Sequence, residues 1–439
     1  MTEARVYPAQ LAIQPISHPL AATIRVPGSK SITNRALVLA ALTKAPDGVT
    51  LDYPLESEDT EVMIDSLRKL GYGIEWRDQQ RSIVVTRPMG ASLIPANHAD
   101  LYVANSGTTM RFLTAMVALG TGQFRLDGVP RMRERPIGDL LDALKQLGVS
   151  ATSETANDCP PVVIQTDGIP GGEVAIRAGM SSQFLSGLLM AAPFARSSMS
   201  IRVAGEFVSE PYVAMTVAMM RDWGITVVTP APGHYVVPAP QVATRSHYSI
   251  EPDASAASYF VAAAAIQGGR VTVSGFPNVS LQGDLAFVDV LEEMGCQVTK
   301  SDSAITVQGG TLRGIDLDMN AISDTVMTLG AVACFAEGPT TIRNVAHIRH
   351  KETDRISALA NELRRLGAEV IERADGLTIH PRPLHGATVQ TYRDHRMAMS
   401  LSLIGMRVPG VVIDDPGCVA KTYPGYWEDF AAIQNRAAN

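Results

Sequence analysis

The chain has 439 residues, 46% of them hydrophobic and 18% charged, and a formal net charge of -7. That length exceeds one ordinary core and implies two domains. The acidic balance excludes nucleic acid or an acidic membrane as a partner, so any anionic ligand must meet cations that the fold concentrates locally.

The opening segment, MTEARVYPAQLAIQPISHP, has Glu3 and Arg5 early and two prolines before His18, and no apolar core of signal-peptide type. The longest apolar runs, near Phe260–Ile266 and Val326–Ala336, are too short to span a bilayer. Cys159, Cys296, Cys334 and Cys418 are never closer than 38 residues, so there is no Cys-x-x-Cys zinc pattern. Reduced thiols in a cytoplasmic protein are expected.

Along the chain one phrase returns: two apolar residues three apart, then glycine. It closes a helical pattern at Gly71, Gly148, Gly224, Gly295 and Gly367, at spacings of 77, 76, 71 and 72. Glycine just past a helix end is its ordinary use. A β-type stretch follows, as at Ile74–Trp76, Ile225–Val228 and Val298–Thr299. Further strands are expected at Ser82–Thr86, Pro161–Gln165, Val271–Ser274 and Ile305–Val307.

A second phrase keeps step with the first. A polar cluster precedes an Ala/Leu/Met-rich helix near Ser29, Asn105, Ser181, Asp253, Asp324 and Asp394, at spacings of 76, 76, 72, 71 and 70. Six α/β units follow, each with a buried inner helix and an amphipathic outer helix. Two groups of three are expected. The proline-rich stretch between Thr229 and Ser249 and the Val26-Pro27-Gly28 step mark a double-crossover hinge near 25–28 and 245–250. Residues 26–248 form one lobe, and 1–25 with 249–439 the other. If the inner helices of each lobe start on one face, six positive dipole ends converge on a cleft suited to anions.

The cap clusters hold the unusual chemistry. Lys30, Ser31 and Arg35 surround the first helix start, but the run is not a P-loop, since Ser29 precedes the lysine. Gly107 permits close backbone approach to a ligand. Arg131, Arg133 and Arg135 alternate before Pro136, which in an extended stretch points them to one side. Ser181, Ser182 and Gln183 open the third helix, Asp324 caps the fifth, and Asp394-His395-Arg396 stand before the sixth. In Lys351-Glu352-Thr353-Asp354-Arg355, Asp354 or Thr353 caps a helix whose Ile356, Leu359, Leu363 and Leu366 share one face. His347 and His350 have no accompanying Cys or acidic triad, so no metal is expected.

Taken jointly, PGSKSITNR, NSGTTMR, PRMRERPIGD, SSQFLSGLL, DASAASYF, QGD, the Asp324 segment, HKETDR, DHRMAM and AKTYPGYWEDF resemble the signatures of the EPSP synthase family, in family order. The likeness runs from about Pro15 to Phe430. It implies an α/β fold of two lobes, each of three βαβαββ units (an inside-out α/β barrel), with a six-fold internal repeat and hinged, clam-like closure. It implies transfer of the enolpyruvyl group of phosphoenolpyruvate to the 5-hydroxyl of shikimate-3-phosphate, with no cofactor.

By motif, the resemblance puts Lys30, Ser31, Arg35, Ser181, Ser182, Gln183, Ser209, Asp324, His347 and Lys351 at shikimate-3-phosphate. It puts Lys30, Gly107, Arg131, Gln183, Arg355, Arg396 and Lys421 at phosphoenolpyruvate. Asp324 is the expected proton acceptor and Glu352 the donor, with Lys30 in support. Glyphosate binding at the phosphoenolpyruvate site and a monomeric enzyme are expected too. The chain departs from the family at His347, where the familiar form has Asn, and at Thr109-Met110-Arg111-Phe112, where it has Ala-Met-Arg-Pro. The related transferase acting on UDP-N-acetylglucosamine uses a loop cysteine, and Asn105–Asp139 contains none. A catalytically silent anion-binding homologue is the other alternative.

Overall fold

The computed structural model describes residues 5–435, so Glu3 lies outside the described residues. The chain separates into two compact units. One is Gly28–Ile250; the other joins the segment up to Pro27 to the segment from Glu251 onward. Among the described residues there are six open sheets, five of four strands and one of three, and none closes into a barrel. No described helix is long and apolar enough to cross a membrane.

One plan underlies the five four-stranded sheets. A repeat runs strand, inner helix, strand, outer helix, strand, strand, as in His98–Tyr102, Gly107–Val117, Thr121–Asp127, Gly138–Gln146, Ser150–Ser153 and Val162–Asp167. In space the strand order is first, second, fourth, third. The first two are parallel, with His98 opposite Gln123, and the inner helix supplies the crossover that parallel neighbours need. The last two form an antiparallel hairpin, with Ser153 opposite Val162.

Two repeats borrow their first strand from a distant part of their own unit. The repeat around the inner helix Lys30–Leu42 uses His247–Ser249, paired in parallel with Val49–Asp52. The repeat around Ala254–Gln267 uses Leu20–Ile24, paired in parallel with Gly269–Ser274. The three-stranded sheet likewise takes Gln10–Ala12, antiparallel to Val412–Asp414. The ends of the Gly28–Ile250 unit therefore lie side by side. A Cβ on Gly28 would stand 3.3 Å from Ile250 Cγ2 and 2.0 Å from the Tyr53 carbonyl oxygen, so only glycine fits.

The inner helices are buried all round, which their composition permits. In Ala254–Gln267 every residue from Ala254 to Ile266 is buried, and seven of these are alanine. Small side chains let three such helices approach closely, and hydroxyls join them. Ser258, Thr328 and Ser400, one from each inner helix of the second unit, form a buried ladder at 3.1 and 3.3 Å. In the first unit Asn34 donates to Thr108 at 2.7 Å, and Arg35 to Ser186 at 3.3 Å. Each bond satisfies a polar group that burial would otherwise penalise.

The five expected glycines all close outer helices with positive φ, from +77° at Gly224 to +113° at Gly295. The third repeat differs from expectation. Its strand is Val228–Ala231, not Ile225–Val228, and the proline-rich stretch folds into a hairpin with His234–Val237. The Gln241 side chain takes the place of a strand partner, accepting from Thr226 N at 2.8 Å and donating to Thr226 O at 3.0 Å.

The glycines separate backbone strain from crowding. At Gly148 (φ +82°) an added methyl meets nothing closer than 3.8 Å, so Gly148→Ala should cost about 1–2 kcal/mol in urea denaturation. At Gly71 (φ +94°) the methyl would lie 2.8 Å from Pro95 Cβ, and Gly71→Ala should cost more. Equal losses would show that the contact with Pro95 relaxes freely.

Candidate functional site

In the unit that contains Glu251 onward, one carboxylate gathers cations from three elements. Asp324 Oδ1 accepts from Lys351 Nζ at 2.6 Å and from Arg355 Nη1 at 3.2 Å. Its Oδ2 accepts from Arg396 Nη2 at 2.8 Å. Arg355 is 1% exposed and joins the cluster together: Nε and Nη2 form a bidentate pair with Asp394 at 2.7 and 3.2 Å, and Nη2 also meets Glu352 Oε2 at 2.8 Å. The other Glu352 oxygen lies 3.6 Å from Lys421 Nζ. Four cations thus face three carboxylates.

The electrostatics follow from burial. Desolvation pulls the Arg355 guanidinium down, but Asp394, Glu352 and Asp324 outweigh it and hold the group above its ordinary range. Burial lowers the Lys351 ammonium, with Asp324 opposing. Burial and then the Lys351 charge push His347 down to about 3, so its ring is neutral and shares a 3.0 Å hydrogen bond with Ser323 Oγ.

Local sequence explains the presentation. Asp354 caps Arg355–Arg365 by accepting from Ser357 N at 3.1 Å, which leaves Lys351 and Glu352 just before the helix start. Ile356, Leu359, Leu363 and Leu366 are fully buried beneath it. Asp394 caps His395–Gly405 by accepting from Arg396 N at 2.9 Å. One buried carboxylate thereby fixes both Arg355 and the helix that carries Arg396. Lys421 ends the short helical turn Pro416–Lys421 and is buried.

In the Gly28–Ile250 unit, Lys30 begins its inner helix and lies 3.4 Å from Asp59 Oδ2. Arg35, one turn on, is buried and spans elements. It donates to Thr216 Oγ1 at 2.7 Å, Ser31 O at 2.9 Å and Tyr212 O at 3.1 Å. Its guanidinium sits 5.1 Å from the centre of the Phe112 ring, and burial lowers it to about 10. Phe112, where the family form has Pro, is thus the platform for Arg35. Ser106 caps the second inner helix, which opens at Gly107. A methyl on Gly107 would stand 2.6 Å from Arg135 Nη2 and 3.2 Å from Arg111 Nη1. Ser181 caps the third by accepting from Gln183 N at 3.2 Å. Ser209 stands before Glu210–Asp222 with φ +52°.

Two expectations need correction. Arg131, Arg133 and Arg135 do not share a side, because Met132–Glu134 is a 3-10 turn and not an extended stretch. Arg131 pairs with Glu134 at 2.8 Å, Arg133 with Asp127 at 2.7 Å, and Arg135 turns inward to Asn105 O at 3.0 Å. Nor does Asp324 cap the fifth inner helix. It lies in the 3-10 segment Asn320–Thr325, the cap position falls on Thr325, and three cations take the carboxylate instead.

Sequence reasoning did not assign Asp394, Ser323, Asp59, Tyr259 or Arg135. The run Asp394-His395-Arg396 was visible as a charge cluster, but nothing local shows its reach to Arg355. Tyr259 OH accepts from Arg396 Nη1 at 3.3 Å, and burial pushes that phenol up to about 12. Among the described residues no group of three or more His, Cys, Asp or Glu is placed to hold a metal. Chemically, one unit offers two buried carboxylates set among cations, and the other offers Lys30 beside helix starts rich in hydroxyl and amide groups. Such sets bind polyanions and move protons.

The family model for EPSP synthase (3-phosphoshikimate 1-carboxyvinyltransferase) matches residues 15–430. A protein of Trichormus variabilis named 3-phosphoshikimate 1-carboxyvinyltransferase is 48% identical over 421 residues, 96% of this chain and 98% of its own. One of the same name from Marinomonas is 46% identical over 414 residues, 94% of this chain and 96% of its own. Among solved structures, EPSP synthase from Acinetobacter baumannii has the same fold, with a TM-score of 0.77 at 24% identity over 97% of this chain and 98% of that one.

The neutral His347 sets a pH dependence. Its folded value of about 3 lies below the ordinary 6.5, so between those limits the unfolded chain binds the extra proton and stability falls as pH falls. Above that window the group contributes no slope. His347→Gln should therefore flatten the stability profile between roughly pH 6 and 4 by up to about 1.4 kcal/mol per pH unit, read by urea denaturation at each pH. Parallel profiles would mean that the imidazole is protonated in the folded protein.

Proposed function

The chain belongs to the EPSP synthase family, and from that premise we propose how its residues transfer the enolpyruvyl group of phosphoenolpyruvate to the 5-hydroxyl of shikimate-3-phosphate. The observation that carries the reading is the pair of carboxylates, the partly buried Asp324 and the buried Glu352, that share Arg355 within a cluster of four cations.

Lys30, Ser31, Arg35, Ser181, Ser182, Gln183, Ser209, His347 and Lys351 bind shikimate-3-phosphate. Arg35 acts partly by joining its inner helix to Thr216 and Ser186. Lys30, Gly107, Arg131, Gln183, Arg355, Arg396 and Lys421 bind phosphoenolpyruvate. Asp324 takes the proton of the 5-hydroxyl as that oxygen bonds to C2 of phosphoenolpyruvate, and Glu352 gives a proton to C3, which becomes a methyl group. The tetrahedral intermediate then returns a methyl proton to the Glu352 carboxylate, the bond from C2 to the phosphate oxygen breaks, and phosphate leaves with the proton that Asp324 took. The anionic substrates bring the negative charge that lets Glu352 carry a proton between Arg355 and Lys421. Those cations and Arg396 stabilise charge on the transferring fragment.

Glyphosate occupies the phosphoenolpyruvate site, and the hydrogen at Gly107 keeps Arg135 and Arg111 undisplaced there. We place the enzyme in the cytoplasm as a monomer, a setting that its four free cysteines suit.

Phosphate release measured with phosphoenolpyruvate alone, with shikimate-3-phosphate added, and with UDP-N-acetylglucosamine instead tests the reading. Release should require shikimate-3-phosphate and fall at least about 100-fold in Glu352→Gln and in Asp324→Asn. Release with the nucleotide sugar would point to the related transferase. Binding of both substrates without release would leave an anion-binding protein.

A further inference from the structure

The helix Arg355–Arg365 docks on the Asp394 loop at two points. The first is the Arg355–Asp394 pair at the helix start. The second, seven residues on, is Glu362. Seven residues are two turns, so both side chains leave the same face, about 10.5 Å apart along the axis.

Glu362 is a carboxylate with no exposure, and nothing in the reaction uses it. Its Oε2 accepts from the Gln390 backbone N at 2.9 Å, its Oε1 from Tyr392 OH at 2.7 Å, and Arg365 Nε lies 2.9 Å from Oε2. The loop it grips is unusual. Tyr392 and Arg393 are consecutive left-handed residues, with φ +55° and +56°, and neither is glycine. Side chains adopt that backbone only where the surroundings hold it. The turn closes with Asp394 N donating to Thr391 O at 2.9 Å. The next residues are Asp394, which caps the sixth inner helix and pairs Arg355, and Arg396, which pairs Asp324. A buried carboxylate is a costly anchor, and it is placed where a strained loop must be held.

We propose that Glu362 is a positioning residue: by fixing residues 390–392 it sets the left-handed turn that presents Asp394 to Arg355 and aims Arg396. This rests on the reading of Arg396 as a phosphoenolpyruvate ligand. Loosening the grip should misplace the Arg396 guanidinium while leaving the groups that bind shikimate-3-phosphate in the Gly28–Ile250 unit untouched.

The test uses the full chain and steady-state kinetics with each substrate varied. Glu362→Ala should raise KM for phosphoenolpyruvate about tenfold, with KM for shikimate-3-phosphate within about twofold. Glu362→Gln keeps a carbonyl acceptor for Gln390 N and should recover most of the loss. If Glu362→Ala does not fold, Tyr392→Phe removes one arm of the grip and should raise the same KM about threefold. A lower Tm with both KM values unchanged in the Glu362 and Tyr392 variants overturns the proposal. Arg396→Lys is the reference. A raised phosphoenolpyruvate KM there, without one in the Glu362 and Tyr392 variants, rejects the role of Glu362. An unchanged KM in Arg396→Lys with a raised one in Glu362→Ala rejects the assignment of Arg396 and retains the positioning through Asp394.

Discussion

Buried charge of one sign has to be balanced, and the unit that begins at Glu251 is arranged around that requirement. Asp324, the Lys351–Arg355 run and Arg396 come together from three stretches of chain, and Asp394 draws Arg355 against the start of the sixth inner helix. Breaking a buried pair by removing one partner typically costs about 3–5 kcal/mol, because the remaining charge has left water without compensation. The same arrangement that holds the fold therefore holds the groups proposed to react. Four cations against three carboxylates leave an excess of positive charge, and a chain with net charge -7 can attract anionic substrates only through such local excess.

The inner helices make this balance affordable in packing terms. They are buried along most of their length and, as in Ala254–Gln267, built largely of small apolar residues, so their charged groups sit toward their starts. Buried hydroxyls such as Ser258, Thr328 and Ser400 tie the helices into one register.

The repeat was legible because a helix that ends before a strand needs a C′ residue with positive φ, and glycine writes that need into the sequence five times. The Asp354 cap was legible for a similar reason: its partner is three residues away. What escaped was long-range. The alternation of Arg131, Arg133 and Arg135 suggested an extended stretch, and a 3-10 turn won because each arginine has its own acceptor. Asp324 looked like a cap from its neighbours, and its role came from cations 27 to 72 residues away. Phe112 carried no local sign that it underlies Arg35. The borrowed strands at Leu20–Ile24 and His247–Ser249 were equally silent, since pairing across more than 190 residues leaves no periodic trace.

Those borrowed strands set an order of events during synthesis. Every strand of the Gly28–Ile250 unit is available once residue 250 has emerged, so that unit can close while the ribosome is still at work. The N-terminal segment has to wait. Leu20–Ile24 finds its neighbour only at Gly269–Ser274, and Gln10–Ala12 finds Val412–Asp414, with Gln10 and Asp414 separated by 404 positions. At roughly 5–20 residues per second, the earliest strand spends on the order of 20–80 s without its partner. These early-made strands are among the last to be folded, and their backbone groups stay unpaired for that whole interval.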